Sequence, residues 1–530
     1  MKRRGRALAA TLLAMICGIS LPLAAWGAVP YAQIEGTGST WSELIVQQWI
    51  ADVNANGMKV VYTGGGSTKG RKDFANNSVD FAISEIPYQG TDEQGQADTS
   101  QGRQYAYLPI VAGGTAFTYQ LKIGNEQVKN LRLSGETLAK IFTNQITNWN
   151  DPAIAKDNNG RKFPALPIIP VVRSDGSGTT AQFTTWMDKQ YPSIWRAYFG
   201  RAGLTSYYPK KSGSRMVSQA GSDQVMNTIK GFSGNGMIGY VEYSYAINAH
   251  YPVVKVRNAA GYYVEPTQFN TAVALTQAKI NMDTTSPLYL TQNLDGVYTH
   301  NDPRSYPISS YSYMLLPTGA GDQRMSTAKR QTLADFMYYS LCTGQTKAGA
   351  YGYSSLPLNL VQAGFDQIAK LKAADPAVEL TDRDVKSCNN PTFDGKNLDK
   401  NLLAEKAPKP PECDKDGAGP CGYDTGTGKP ATDEQAAAAG GTAPAAGAAP
   451  PAAVDPVTGQ EVPVATDGTT PVAATSQPVT ASPDTLSAER AGDRRPFGWV
   501  VVLELLALVL LPGLLAAMFR RRLAAGGTSR

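Results

Sequence analysis

Residues 171–180, with the sequence VVRSDGSGTT, combine the residue types that bind a tetrahedral oxyanion. Arg173 offers a planar fork of donors that suits two oxygens at once, and the hydroxyls of Ser177 and Thr179 add single donors. The glycines, Gly178 among them, let backbone N–H groups and the positive end of a following helix approach a negative charge. The segment therefore predicts an anion-binding turn, and the alternative is a plain Gly/Ser turn between a strand and a helix.

The flanking residues predict the elements that would position this turn. Apolar residues at 168–172 predict a short buried strand before it. The spacing of Phe183, Trp186 and Met187 predicts one face of a helix that begins near Thr179. The arginine would thus leave a strand end, and the hydroxyls would lie at a helix N-terminus.

Three earlier segments end in similar turns. The stretch GTGSTW at 36–41 precedes an apolar row that repeats every four residues, so Thr40 lies where an N-cap or an anion donor belongs. A predicted strand at 59–62 leads into GGGSTKG, which contains Ser67 and lacks the spacing of a nucleotide P-loop. A third predicted strand runs into Ser-Glu-Ile-Pro and places the carboxylate of Glu85 at a strand tip.

The order of these motifs resembles that of the phosphate-binding proteins that serve high-affinity phosphate ABC importers. The similarity extends from about residue 32 to about residue 390 and includes stretches at 133–152, 236–241 and 305–308. It implies an α/β, type II periplasmic-binding-protein fold, in which two lobes close over the ligand around a two-strand hinge. It also implies a solute-binding protein rather than an enzyme, with inorganic phosphate as ligand, a membrane permease as partner, and no metal or cofactor.

Carried over to this chain, the resemblance implies a set of phosphate ligands on both lobes. They are Thr40, the backbone N–H of Trp41, Ser67, Glu85, Arg173, Ser177, Gly178 and Thr179. Asp175 would brace the arginine, although its spacing fits an Asx turn equally well. Lobe I would comprise residues 32–111 and 308–390, lobe II residues 112–307, and the crossovers would lie at 107–118 and 306–316.

One departure from the family pattern matters: the family usually has Asp where this chain has Glu85. A buried carboxylate can accept the proton that phosphate keeps near neutral pH. Sulfate has no such proton and would face an unpaired buried charge, at a cost of several kcal/mol. Glu85 is therefore predicted to select protonated oxyanions, and the alternative is a solvated loop residue.

The ends of the chain predict export and anchoring. Residues 1–27 have the basic start, apolar run and small residues of a signal peptide. Residues 403–495 are rich in Ala, Pro, Gly and Thr, which predicts a disordered linker. The apolar stretch 499–519 is long enough for a transmembrane helix, and 520–530 would be a cytoplasmic tail. The binding head would then face the outside of the plasma membrane.

The four cysteines beyond the signal peptide suit an oxidising compartment. Three pairings are possible. Proximity in sequence favours Cys342 with Cys388 and Cys413 with Cys421.

The composition leaves few other functions open. The net charge of +5 is spread thinly over 530 residues, which argues against nucleic acid as a partner. The two histidines, His250 and His300, lack metal-site or nucleophile-elbow spacing, so a phosphatase or hydrolase is a weak alternative. A sensor or scavenger without a permease, or a receptor for another oxyanion, stays open, and the protein is expected to be a monomer.

Overall fold

The computed structural model describes residues 31–380 and 384–427. Their central feature is one eight-stranded sheet with the order β11-β10-β12-β6-β17-β3-β1-β2. The strands of this sheet are β1 Ile34–Gly38, β2 Val60–Gly64, β3 Phe81–Ser84, β6 Tyr105–Tyr119, β10 Ile169–Arg173, β11 Val217–Gln219, β12 Met237–Glu242 and β17 Ser309–Pro317. Short strands form small sheets around it: β4 Gly90–Thr91, β5 Ala97–Asp98, β7 Lys122–Ile123, β8 Glu126–Gln127, β9 Arg132–Leu133, β13 Lys255–Arg257, β14 Tyr263–Val264, β15 Lys279–Ile280 and β16 Gln292–Asn293.

Helices alternate with these strands, as the α/β prediction requires. They are α1 Glu43–Asn54, α2 Ser67–Ala75, α3 Gly135–Phe142, α4 Pro152–Asp157, α5 Gly178–Gln190, α6 Pro192–Phe199, α7 Gly221–Lys230, α8 Tyr243–Asn248, α9 Gln268–Leu275, α10 Asp295–Tyr298, α11 Thr327–Leu341, α12 Leu358–Ala374 and α13 Leu402–Lys406. Lobe I is built on β1, β2 and β3, and lobe II on β10, β11 and β12. Within each lobe these strands are parallel, so their carboxyl ends meet at one edge.

The two lobes are joined by the long antiparallel strands β6 and β17. On the lobe II side, β12 pairs with residues 115–119 of β6, and on the lobe I side β3 pairs with residues 313–315 of β17. Between these stretches, residues 111–114 and 309–312 pair only with each other, apart from a single bridge to Ser354. This two-stranded ribbon is the hinge, and both predicted crossover segments contain it.

The predicted elements around the anion turn correspond to β10 and α5. The prediction for Thr40 as an N-cap is wrong, because α1 begins later, at Glu43, with Ser42 in the N-cap position. Ser42, two residues after Thr40, occupies the N-cap position without a side-chain cap hydrogen bond.

The linker predicted from residue 403 begins too early. Residues 402–427, the C-terminal strap, carry a helix, and both predicted disulfides are present, Cys342 with Cys388 and Cys413 with Cys421. Composition misled the prediction because the strap has few large apolar side chains. It is held by a small apolar cluster, in which Leu403, Ala404 and Ala407 pack on α9, and by a disulfide, buried polar groups and backbone hydrogen bonds.

The strap lies on lobe II, where an ion pair fastens it. Lys255 Nζ is 2.5 Å from Asp414 Oδ2, and both side chains are buried. Tyr423 donates to the same carboxylate at 2.6 Å, and its ring lies 3.7 Å from the Lys255 ammonium. Arg132 Nη1 donates to the carbonyl of Cys413 at 3.0 Å. The chain therefore crosses between the lobes a third time, from lobe I back to lobe II.

Replacing Asp414 by Asn is expected to lower the free energy of unfolding by about 3 kcal/mol, because Lys255 would stay buried without a charge partner. Burial already lowers the pKa of Lys255, against the raising effect of Asp414. The double variant Lys255→Met, Asp414→Leu should recover most of the loss, since apolar side chains of similar volume need no partner. Chemical denaturation of the three proteins measures this, and equal stability of D414N and the parent would contradict it.

The predicted signal peptide at 1–27, the linker beyond residue 427 and the predicted span at 499–519 lie outside the described residues. Among residues 31–380 and 384–427, no helix has both the length and the apolar character needed to cross a membrane.

Candidate functional site

The anion turn lies at the carboxyl end of β10, facing lobe I. The side chain of Ser177 caps α5 by accepting a hydrogen bond from the N–H of Thr180 at 3.2 Å. A hydroxyl that accepts in this way keeps its proton for another acceptor. Thr179 is buried as the second residue of the helix. The positive end of a thirteen-residue helix thus points into the cleft.

Arg173 is held rigidly at the base of this turn. Its Nε and Nη2 donate to the two oxygens of Asp175 at 2.7 and 2.5 Å, and its Nη1 donates to Ser222 Oγ at 3.2 Å. Burial alone would lower the pKa of Arg173, but the hydrogen bonds and charge of Asp175 raise it. Asp175 therefore has the bracing geometry that the resemblance implied, and Arg173 is a fully charged, preoriented donor.

Glu85 lies opposite the anion turn, on lobe I, and is only 1% exposed. Its Oε2 accepts from Ser67 Oγ at 2.7 Å, and its Oε1 accepts from Ser312 Oγ at 2.9 Å. Burial raises the pKa of Glu85, and hydrogen bonds from Ser39, Ser67 and Ser312 lower it in part. The solvated-loop alternative for Glu85 is thus inconsistent with this geometry.

The two lobes are in contact at Gly178. The N–H of Gly178 donates to Ser67 Oγ at 3.2 Å, across the cleft. A Cβ at this position would collide with Glu85 Oε2 and Ser67 Oγ, so only glycine fits. The carboxylate and the N-terminus of α5 are therefore in direct proximity.

Thr40 and Trp41 complete the lobe I side. Thr40 Oγ1 lies 3.2 Å from Ser222 Oγ and accepts from the N–H of Ser222 at 3.2 Å. The N–H of Trp41, a ligand implied by the resemblance, donates here to Ser39 Oγ at 2.9 Å. All eight candidate ligands lie in or beside one cleft. Three of the implied donors have internal partners: the N–H of Trp41 donates to Ser39, Ser67 to Glu85, and the N–H of Gly178 to Ser67.

Three serines of the cleft escaped the sequence analysis. Ser39 and Ser312 bond to candidate ligands on lobe I, and Ser222 lies at the N-terminus of α7 on lobe II. Ser222 follows Gly221, whose φ of +76° favours glycine. The small residues before this helix could therefore have indicated another turn that places a hydroxyl at a helix N-terminus. Ser312 carried none, because it is one of several serines in a strand.

The cleft is chemically suited to hold a tetrahedral anion. It offers a charged guanidinium, hydroxyls and helix N-termini, which replace the water around an anion with fixed dipoles. The two histidines take no part, since among the described residues neither is hydrogen-bonded to a candidate ligand. No group of three or more His, Cys, Asp or Glu in residues 31–380 and 384–427 could hold a metal ion.

The two lobes, the hinge ribbon and the anion cleft define a bilobal solute-binding protein. Residues 25–343 match the family model described as PBP superfamily domain. Phosphate-binding protein PstS of Methanocaldococcus jannaschii is 30% identical over 345 residues, which are 64% of this chain and 86% of that protein. Phosphate-binding protein PstS of Xylella fastidiosa is 31% identical over 331 residues, 62% and 83% of the two chains.

The chain therefore belongs to the PBP superfamily and, within it, to the PstS-like phosphate-binding proteins. A solved high-affinity periplasmic phosphate-binding protein with bound phosphate is similar at 19% identity and a TM-score of 0.48, covering 68% of this chain and 98% of that one.

Proposed function

We propose that this protein captures inorganic phosphate between its lobes outside the plasma membrane and delivers it to an ABC-type importer. The observation that carries the proposal is the buried carboxylate of Glu85 on lobe I, which lies against the N-terminus of α5 on lobe II. A buried carboxylate would repel an unprotonated anion and weaken its binding. A protonated anion can donate its proton to the carboxylate in a hydrogen bond, so the carboxylate favours its binding. The names of the curated relatives support the same ligand.

The ligand is proposed to be held by Thr40, Trp41, Ser67, Glu85, Arg173, Ser177, Gly178 and Thr179. Donors on both lobes reach one anion, so binding favours the closed arrangement. Hydrogen bonds to charged groups contribute roughly 1.5 to 3 kcal/mol each, and desolvation of the anion and ordering of the lobes offset much of the sum. Catalysis is not part of the proposal.

Tethering is proposed from the sequence. The signal peptide, the linker beyond residue 427 and the apolar stretch 499–519 would keep the head on the outer face of the membrane. A tethered receptor stays near its permease, and a freely diffusing one does not.

Calorimetric titration of the purified full-length chain in mild detergent tests the proposal. We expect saturable binding of phosphate, weaker binding of arsenate, and no measurable heat with sulfate or molybdate at the same concentrations. Tryptophan fluorescence gives a second readout, because Trp41 lies in the cleft. A preference for sulfate would reject the proposed function, and so would the absence of any heat or fluorescence change with phosphate. Uptake of labelled phosphate in a strain that lacks the protein then separates delivery from sensing or scavenging.

A further inference from the structure

The two oxygens of Glu85 are held by different parts of the fold. Oε2 accepts from Ser67 at the N-terminus of α2 and lies against Gly178 of the opposite lobe. Oε1 faces the other way and accepts from Ser312 at 2.9 Å. One oxygen therefore faces the cleft, and the other is fastened to the strand that joins the lobes.

Ser312 occupies a special place in that strand. It is the last residue of the hinge ribbon before β3 joins β17 at residue 313. The register between β17 and β6 shifts between Ser312 and Tyr313. Ser312 is fully buried, and its Oγ also lies 3.3 Å from Ser42 Oγ, next to the start of α1. A change of twist in the hinge would therefore move the hydroxyl that holds Glu85.

A glutamate needs such a tie more than an aspartate does. Its extra methylene adds a rotatable bond. If the carboxylate were free to rotate, ordering it would cost conformational entropy each time a ligand binds. Hydrogen bonds from Ser67 and Ser312 hold both oxygens and fix the carboxylate plane before the ligand arrives. This preorganisation lowers the cost of binding.

We propose that Ser312 is a positioning residue that couples the hinge to Glu85, so that lobe closure and presentation of the carboxylate to a protonated oxyanion occur together. The inference rests on the proposed function, and it identifies Ser312 as the hinge residue that controls the selection of protonated over unprotonated oxyanions. Ser312 acts through Glu85 and is not itself a ligand.

The same hydrogen bond has a consequence for pH. A donor to the carboxylate favours its charged form, so removal of the Ser312 hydroxyl should raise the pKa of Glu85 further. Tyr62 and Tyr313 are electrostatically coupled to Glu85, and burial raises the pKa of both well above the usual value, so both stay neutral. Arg173 and its ion-pair partner Asp175 face the site from lobe II.

The direction of the pH effect on phosphate affinity follows from the role of the carboxylate. Only the ionised form accepts the proton of the ligand, so affinity is lost as pH falls through the pKa of Glu85. A higher pKa therefore moves this loss to higher pH. Phosphate's own titration is identical for all variants and cancels in a comparison between them.

Ser312→Ala and the control Ser310→Ala test the inference in the full-length chain. Ser310 is on the same strand and buried, and its hydroxyl has no hydrogen-bond partner among the described residues. We expect S312A to lower the phosphate-over-sulfate ratio of affinities about tenfold, the effect of one lost hydrogen bond to a charged group. We expect S310A to stay within about twofold of the parent. S312T, which keeps the hydroxyl, should restore the ratio.

The carboxyl pKa of Glu85, followed by carbon-13 NMR in the absence of ligand, is expected to be higher in S312A than in S310A. This readout does not depend on phosphate binding. If the parent binds phosphate and S312A matches S310A in both ratio and pKa, the role of Ser312 is rejected and the proposed function stands. If the parent does not bind phosphate, the function fails, and the coupling to a ligand fails with it.

Discussion

Replacing Glu85 by Gln is expected to reduce the phosphate-over-sulfate preference about a hundredfold, roughly 2.7 kcal/mol. The carboxylate is buried and accepts from Ser67 and Ser312. In the proposed function it would also accept the remaining proton of phosphate and oppose an unprotonated anion. The amide removes the negative charge and adds N–H donors. Sulfate should therefore gain affinity while phosphate loses it. Competition calorimetry with both anions measures the ratio directly.

Glu265→Gln is the matched control for this experiment. Burial raises the pKa of Glu265 as it does for Glu85, and its Oε2 accepts from Tyr243 at 3.0 Å within lobe II, away from the anion turn. We expect the control to leave the ratio unchanged. An unchanged ratio in E85Q as well would exclude Glu85 from the selection of the anion.

Replacing Arg173 by Met is expected to weaken phosphate binding about a thousandfold, roughly 4 kcal/mol. The substitution removes the preoriented guanidinium and leaves the Asp175 carboxylate beside the anion without its partner. Adding Asp175→Asn to the same chain should recover part of the loss, because the repulsive charge is then gone. Calorimetric titration of the two single variants and the double variant gives the coupling between the residues.

Arg103→Met separates this effect from general destabilisation. Arg103 is buried and bonded to Asp322 at 2.8 Å, with Phe74 and Val79 as further acceptors, none of them in the cleft. We expect it to lower stability in chemical denaturation and to leave phosphate affinity intact. A loss of less than tenfold in R173M would contradict the central role of the guanidinium.

The parts of the site that could be predicted from sequence are those encoded locally. Arg173, Ser177 and Gly178 lie within six consecutive residues, and the strand before them and the helix after them follow from hydrophobic periodicity. Parallel strands bring their carboxyl ends to one edge of a sheet, and this is why the separate turns lie together in the structure. The resemblance to a known family predicted that the ligands on the two lobes face the same site.

The parts that could not be predicted depend on contacts between distant residues. Ser312 is 227 positions from Glu85 in the chain, and its sequence context is that of an ordinary strand. The strap was missed for a similar reason, since Asp414 pairs with Lys255, which is 159 positions away in the chain. The composition of a segment indicates how much apolar surface it can bury. It does not indicate whether the segment will form a buried ion pair or a disulfide, which hold the strap.

The strap fastens a late segment of the chain to lobe II. The N–H of Val253 donates to Thr425 Oγ1 at 3.0 Å, and the N–H of Gly426 donates to Glu265 Oε2 at 3.2 Å. If the proposed membrane tether continues beyond this segment, tension on it would act first on these contacts and on the Lys255–Asp414 pair, before it reached the ribbon between the lobes.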